Sequence, residues 1–351
     1  MTDKVDDLVK EVVGQDTNTL KNKILSTTKG YPSFSLLELC RVIDASVKDI
    51  EEAIVELKVE GFDIEVQEHA VNRTFVPPPG HEQHLFQRIK DSGTIKFGLL
   101  SDTHYGNIHS RQDVIEAAYD HFEAEGITTV YLAGNLIDGY HPMINHNELL
   151  PDCFDLEGQL TYAAEHFPKK KGITTYYIAA EDHEGWWHRK TGLNVGRVMQ
   201  QYFHHNLDRK DLNCVGFGEC DIELRIRGMK KEQRGPIMRL SHPGGGSSYA
   251  YSYKTQKQVE AYQGGEKPQL LVVGHYHKYD ANYHREVLNI QVGCCEDQTW
   301  FMRKHNLAAH VGYVIAEAKI HTTAGTLESL KHEFVPWYDK GYYHKWMKRE
   351  V

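Results

Sequence analysis

The chain of 351 residues contains no apolar run approaching the ~18 residues of a membrane span. Its opening stretch, MTDKVDDLVKEVV, lacks the apolar core of a secretory signal, so membrane insertion and export are excluded on this reading and a cytoplasmic location is expected. Its six cysteines (Cys40, Cys153, Cys214, Cys220, Cys294, Cys295) form no CxxC pair and no framework spacing, which excludes a disulfide scaffold and fits reduced thiols. No GxSxG elbow accompanies the glycines of His242-Pro243-Gly244-Gly245-Gly246, which sets aside a lipase-type oxyanion loop. Nor does a GK[ST] follow them, which excludes a P-loop; close backbone approach to a ligand is the plainer use of such glycines. The zinc-protease spacing HExxH is missing too. His188 lies five residues beyond His183, roughly 140° around a helix, so the two imidazoles share no face. Positive charge is also short: 40 bases stand against 49 acids, a net of −9. The protein therefore has no global attraction for a polyanion, and any nucleic-acid contact must come from a local patch or from bound metal.

What the chain has in excess is histidine, 22 residues that recur beside glycine and aspartate. With 40% apolar and 25% charged residues, its composition is that of an ordinary globular protein long enough for two domains.

Residues 1–76 read as a small N-terminal module. After a polar, partly helical start, Ser35 to Ile43 forms a short apolar helix, and Ser46 to Asp49 is a capping-box-like start for a second. Ile50, Ile54 and Leu57 fall on one stripe of that second helix. Two alternating runs follow, 62–66 and 71–75. Helix, turn, helix and ribbon resemble a winged helix-turn-helix. The helix that would read DNA carries Asp49, Glu51, Glu52, Glu56 and Glu60, and residues 1–75 hold 15 acids against 9 bases, a net of −6. Phosphates repel such a face, so protein contact or self-association is the expected role. Val76-Pro77-Pro78-Pro79-Gly80 opens a stiff linker, placed at 77–95.

From Lys96 strand-like and helix-like runs alternate, the mark of an α/β architecture extending to about residue 320, with a tail at 321–351 that has no clear period. Five apolar runs in this region each end in metal-type ligands. The clusters are Asp102-Thr103-His104, Gly134-Asn135-Leu136-Ile137-Asp138, Asp182-His183-Glu184, His242, and Gly274-His275-Tyr276-His277. Ligands bind beyond the carboxyl ends of strands in α/β sheets, where turns let side chains converge. Imidazole plus oxygen without thiolate suits Mn, Fe or Zn over an oxygen-only Mg or Ca cage.

This order of motifs resembles the calcineurin-like metallophosphoesterases, the group that includes purple acid phosphatases and double-strand-break repair nucleases. The resemblance spans about residues 96–320 and implies a β-sandwich flanked by helices with two divalent metal ions, Mn²⁺ first and Fe or Zn as alternatives. It implies that Asp102, His104 and His277 hold one metal, that His242, His275 and Asp182 hold the second, and that position 135 bridges. His183 would protonate the leaving oxygen, with Asp138 orienting its ring. Two departures stand out: the family's bridging aspartate is Asn135 here, and its asparagine before the catalytic histidine is Asp182. An amide is a poorer bridge between cations, so Asp182 is expected to take over much of the bridging and Asn135 to bind one metal or none.

Trp186 and Arg189 follow the catalytic histidine and are the candidate substrate-binding residues, stacking a base and pairing a phosphate. The expected activity is hydrolysis of phosphodiesters, with DNA or RNA as substrate. The alternatives are a phosphatase for small-molecule or phosphoprotein monoesters, and a metal-binding regulatory module that has lost catalysis.

Overall fold

The computed structural model describes residues 20–28, 33–59, 64–67, 69–73, 80–89, 92–140, 148–262, 265 and 267–337. The N-terminal start, the prolines of the linker and the last part of the tail lie outside these residues. The chain divides into two compact units, 1–78 with 187–198, and 79–186 with 199–351. Among the described residues no helix is long and apolar enough to cross a membrane.

The first unit contains α1 (Leu20–Thr27), β1 (Ser33–Ser35), α2 (Leu36–Ile43), α3 (Val47–Val59), β2 (Ile64–Gln67) and β3 (Ala70–Arg73). Ser35 caps α2 by accepting the Glu38 N–H, and Asp44 ends it in a left-handed conformation, φ 58°. Ser46 Oγ accepts the Asp49 N–H at 3.2 Å and donates to the Asp49 carboxylate at 2.6 Å, which starts α3. Ile50, Ile54 and Leu57 are buried in one core with Ile24, Leu36 and Leu39. The strands form an antiparallel sheet in the order β1-β3-β2. At three residues, β1 is too short for alternation to reveal it in the sequence.

The second unit runs β4 (Gly80–Phe86), β5 (Thr94–Leu100), α4 (Gln112–Ala124), β6 (Thr129–Leu132), α5 (Leu156–His166) and β7 (Thr174–Ala179). The chain then passes through α6 (Gly185–Thr191) and α7 (Val195–Asn206), whose residues 187–198 group with the first unit, and returns to the second with β8 (Leu212–Phe217), β9 (Glu219–Ile226), β10 (Ile237–Ser241) and α8 (Tyr253–Ala261). Last come β11 (Leu270–Val273), β12 (Tyr279–His284), β13 (Val287–Val292), α9 (Trp300–Lys304), β14 (Gly312–His321) and β15 (Thr326–Pro336). The strands lie in the order β12-β13-β11-β10-β9-β8-β7-β6-β5-β14-β15, with β4 paired to β9. Strands β5 to β8 are parallel, joined by helical crossovers; β10-β11-β13 and the β4–β9 pair are parallel as well, β11 and β13 being connected through β12.

Strands from both ends of this order fill a single core. Phe97 and Leu99 of β5 and Val314 and Ala316 of β14 share it with Leu270 and Val272 of β11 and Ile290 and Val292 of β13. Tyr279 of β12 and Phe334 of β15, the two edge strands, stack with centroids 4.2 Å apart and planes 8° from parallel. The run of strands therefore folds over into two layers, the sandwich anticipated from the sequence. Helix α4 buries Val114, Ile115, Ala118, Tyr119 and Phe122 along one face. Phe122 presses onto Gly98 so closely that a Cβ there would sit 2.7 Å from the ring.

Two segments differ from the sequence-based expectation. Residues 80–86, read as linker, form β4, and residues 326–336, read as tail, form β15. Both are largely exposed and polar, so neither carries the apolar alternation that marks a half-buried strand.

Candidate metal centre

Each candidate ligand follows the carboxyl end of a strand. Asp102 and His104 come after β5, Asn135 and Asp138 after β6, Asp182 and His183 after β7, His242 after β10, and His275 and His277 after β11. Main-chain bonds tie these loops together. The N–H groups of Thr103 and His104 donate to the Asn135 carbonyl at 2.9 and 3.0 Å, and that of Asp138 to the Tyr105 carbonyl at 2.9 Å. The His275 N–H donates to the Asp102 carboxylate at 3.0 Å. Asp102, His104, Asn135, His275 and His277 all have left-handed backbones, φ between 46° and 76°. Non-glycine residues rarely accept that geometry, and it persists where surrounding structure over-determines it.

Three groups of potential ligand atoms result, each within 4.8 Å: Asp102, His104 and His277; Asp182, His242 and His275; and His104, Asp138 and His183, where Asp138 is already hydrogen-bonded to His104. In the first, His277 Nε2 is 3.3 Å and His104 Nε2 3.9 Å from Asp102 Oδ1. In the second, Asp182 lies 3.3 Å from His242 Nε2 and 2.8 Å from His275 Nδ1. Hydrogen bonds on the far side of three of the four rings in these two groups aim their nitrogens inward. His104 Nδ1 donates to Asp138 Oδ1 at 3.0 Å, His242 Nδ1 to the Ala133 carbonyl at 2.7 Å, and His275 Nε2 to the Gly245 carbonyl at 2.6 Å. Such partners set the tautomer and raise the basicity of the ligand atom.

The position between the groups belongs to Asp102. Its Oδ1 is 3.9 Å from His242 Nε2 in the second group as well as facing His104 and His277 in the first. Asp182 reaches His242 and His275 alone of these imidazoles, so it faces the second group only. Asn135 lies beside Asp102, its Nδ2 3.4 Å from Oδ1.

His183 borders the same cleft, with Nδ1 donating to the main-chain carbonyl of Asp138 at 2.7 Å; the Asp138 carboxylate is 3.8 Å away. Asp138 thus orients His183 through its backbone. Its carboxylate serves His104 and Asn107, whose Nδ2 donates at 3.1 Å. Glu184 accepts the N–H groups of Ala180 and Ile137 at 2.6 and 3.2 Å and so couples the β6 and β7 loops; burial pushes its pKa up to about 7.

Charge in the centre is unbalanced. Burial works against ionising Asp102 and Asp182, yet the surrounding imidazoles hold both carboxyls well below their ordinary range. Burial also disfavours a charged His242, but Asp182 and Asp102 push it up to about 9. Burial takes His104 down to about 4 against the pull of Asp138. His183 is raised despite its burial by the Asp182 and Asp138 carboxylates. Asn135 Oδ1, Asp138 Oδ2, Asp182 Oδ1, His242 Nε2 and His277 Nδ1 are buried with no hydrogen-bond partner among the described residues. Buried polar atoms are normally satisfied, and a convergent set of orphaned oxygens and imidazole nitrogens beside two ionised carboxylates fits divalent cations.

The cleft has a volume of about 510 Å³. Its far wall is α9, with Trp300, Phe301, Lys304 and His305. Trp300 is 71% and Phe301 60% exposed. Of the expected substrate residues, neither Trp186, at the start of α6, nor Arg189 is among the lining side chains. Glu296 also lines the cleft and escaped the sequence reading. Burial, then the Asp138 and Asp102 carboxylates, push its pKa well up. The signal was there, because Gly293-Cys294-Cys295-Glu296 follows β13 as the other clusters follow their strands.

No protein-family model matches the chain. No curated protein matches it. Among solved structures it is similar to a novel archaeal phosphodiesterase, at 13% identity and a TM-score of 0.36, covering 69% of this chain and 100% of that one. It is similar to the phosphoesterase YfcE from E. coli at 14% identity and a TM-score of 0.32, covering 68% and 98%. Wild-type Vps29 from Entamoeba histolytica, complexed with zinc, is similar at 12% identity and a TM-score of 0.31, covering 69% and 99%.

Proposed function

We propose that this protein is a dinuclear-metal-dependent phosphoesterase that hydrolyses phosphodiesters, with nucleic acid as its substrate. The observation that carries the reading is the pair of His/Asp groups joined at Asp102, whose inward-facing atoms are buried and orphaned. Asp102, His104 and His277 would hold one cation, and Asp182, His242 and His275 the other, with Mn²⁺ the preferred ion and Fe or Zn also suited to the donor set. When bound, such ions polarise a phosphoryl oxygen and lower the pKa of water.

The chain's own residues supply the rest. His183, fixed through Nδ1 by the Asp138 carbonyl, presents its other nitrogen as the proton donor to the leaving oxygen. Its raised pKa favours the charged form that this role needs. The phosphodiester preference is supported by the α9 wall, where two exposed aromatic rings and a lysine suit a planar base and a second phosphate. We read the first unit as winged-helix-like; the exposed acids Glu51, Glu52 and Glu56 on α3 favour protein contact or self-association over DNA.

The test is hydrolysis of a chromogenic phosphodiester and a chromogenic phosphomonoester with Mn²⁺, with and without chelator, followed by single- and double-stranded DNA and RNA. Chelator-sensitive turnover of the diester and cleavage of at least one nucleic acid are expected. Preference for the monoester would favour a phosphatase, and turnover of neither with any divalent ion would favour a binding module that has lost catalysis.

A further inference from the structure

Glu296 occupies a place in the cleft that no part of the six-ligand scheme uses. It is 3% exposed. Main-chain bonds on either side lock it to the loop that carries Asp102 and His104. The Cys295 N–H donates to the carbonyls of Ser101 and Asp102, and Glu296 itself forms an antiparallel bridge with Ser110. Its Oε2 lies 3.8 Å from His104 Nε2 and 3.6 Å from His277 Nδ1. The neighbouring acid has a different fate: Asp297 takes the Arg111 guanidinium at 2.8 Å. Among the described residues no hydrogen-bond donor and no lysine or arginine meets the Glu296 carboxylate.

A buried carboxylate left in that condition is costly. What it faces narrows the partner. His104 has committed Nδ1 to Asp138, so the atom opposite Glu296 is the inward nitrogen of a candidate ligand. Two donors each about 2.0–2.2 Å from one cation stand about 3–4 Å apart, which is the separation seen here. The charge argument agrees. With asparagine at position 135, the first group has Asp102 as its one carboxylate, and Asp102 also faces His242 of the second.

We propose that Glu296 is a direct ligand of the first cation, beside Asp102, His104 and His277, and supplies the anionic oxygen that Asn135 cannot. This inference rests on the dinuclear reading above. The competing role is a carboxylate that only orients His277 through Nδ1. Glu296→Gln separates the two, because a glutamine oxygen still accepts from an imidazole N–H but brings no charge to a metal.

The experiment titrates full-length wild type and Glu296→Gln with Mn²⁺ by calorimetry and measures bound metal after gel filtration. Wild type should hold two equivalents. The variant should keep one and bind the other more than about 100-fold more weakly, beyond the loss typical of residues that merely orient a ligand. Two equivalents at unchanged affinity in a folded variant would overturn the proposal while leaving the dinuclear reading intact. A wild type that binds no divalent ion would sink both. Should the variant fail to fold, anomalous scattering from Mn²⁺-loaded wild-type crystals decides: an ion within about 2.0–2.5 Å of a Glu296 oxygen is expected, and one beyond about 3.5 Å overturns the assignment.

Discussion

At the scale of single residues, the centre is a set of rings whose orientation is settled by what lies behind them. His183 contacts the backbone carbonyl of Asp138 and belongs to neither of the two groups proposed to hold a cation, whereas His275 points Nδ1 at Asp182. Their alanine variants should therefore fail differently. His183→Ala is expected to lose about 10²–10⁴-fold in turnover with its metal content intact. His275→Ala should lose metal, as elemental analysis after desalting will read; equal metal loss in both variants would remove the proton-donor role from His183. Gly134 is constrained from two directions, by φ of 93° and by a would-be Cβ only 2.3 Å from His242 Nδ1. Gly134→Ala should push that ring off the Ala133 carbonyl and cut Mn²⁺ binding to one equivalent. A variant still holding two would contradict this geometry.

At the scale of elements, the strands act as rails, and the loops beyond their carboxyl ends carry the candidate ligands. Helix α9 is short, and Thr299 starts it by accepting the Met302 N–H. One face buries Met302 while Trp300 and Phe301 stay out along the cleft. If α9 receives a base, Trp300→Ala should raise KM for an oligonucleotide about tenfold, within the ~1–3 kcal/mol that base–aromatic stacking provides, without changing metal content. Steady-state kinetics on a short DNA measures this, and an unchanged KM would move the base-binding surface elsewhere.

At the scale of the whole second unit, β4 carries one buried histidine into the interior. His84 lies 2.8 Å from the Tyr131 hydroxyl and packs on the Tyr131 and Tyr176 rings, and burial takes its pKa from 6.5 to about 4. The unfolded chain takes up a proton below pH ~6.5 that the folded chain refuses, so stability should fall as pH drops from 6.5 toward 4. The loss is at most roughly 3 kcal/mol, and it is absent above pH ~6.5. Urea unfolding of wild type and His84→Phe at pH 7, 5.5 and 4 tests this. The variant should be the less sensitive over that window, and parallel losses would assign the acid sensitivity to other groups.

Much of this protein is legible in one dimension. The caps of α2 and α3, the stripe Ile50-Ile54-Leu57 and the five strand-end clusters are local patterns, set by periods of two and 3.6 and by the few residue types that chelate cations. The sandwich followed because short apolar runs alternating with helices have few other ways to be buried. What escaped was non-local or featureless. Strands β4 and β15 are polar edges without a period, and Trp300 stands clear of any motif. That Asp102 rather than Asp182 faces imidazoles of both groups depends on where five loops meet. Sequence named the candidate ligands, but packing decided which nitrogen the rings turn inward and brought Glu296, 192 positions beyond His104 in the chain, to face it. A carboxylate acquires its partners from tertiary neighbours, and no local pattern records them.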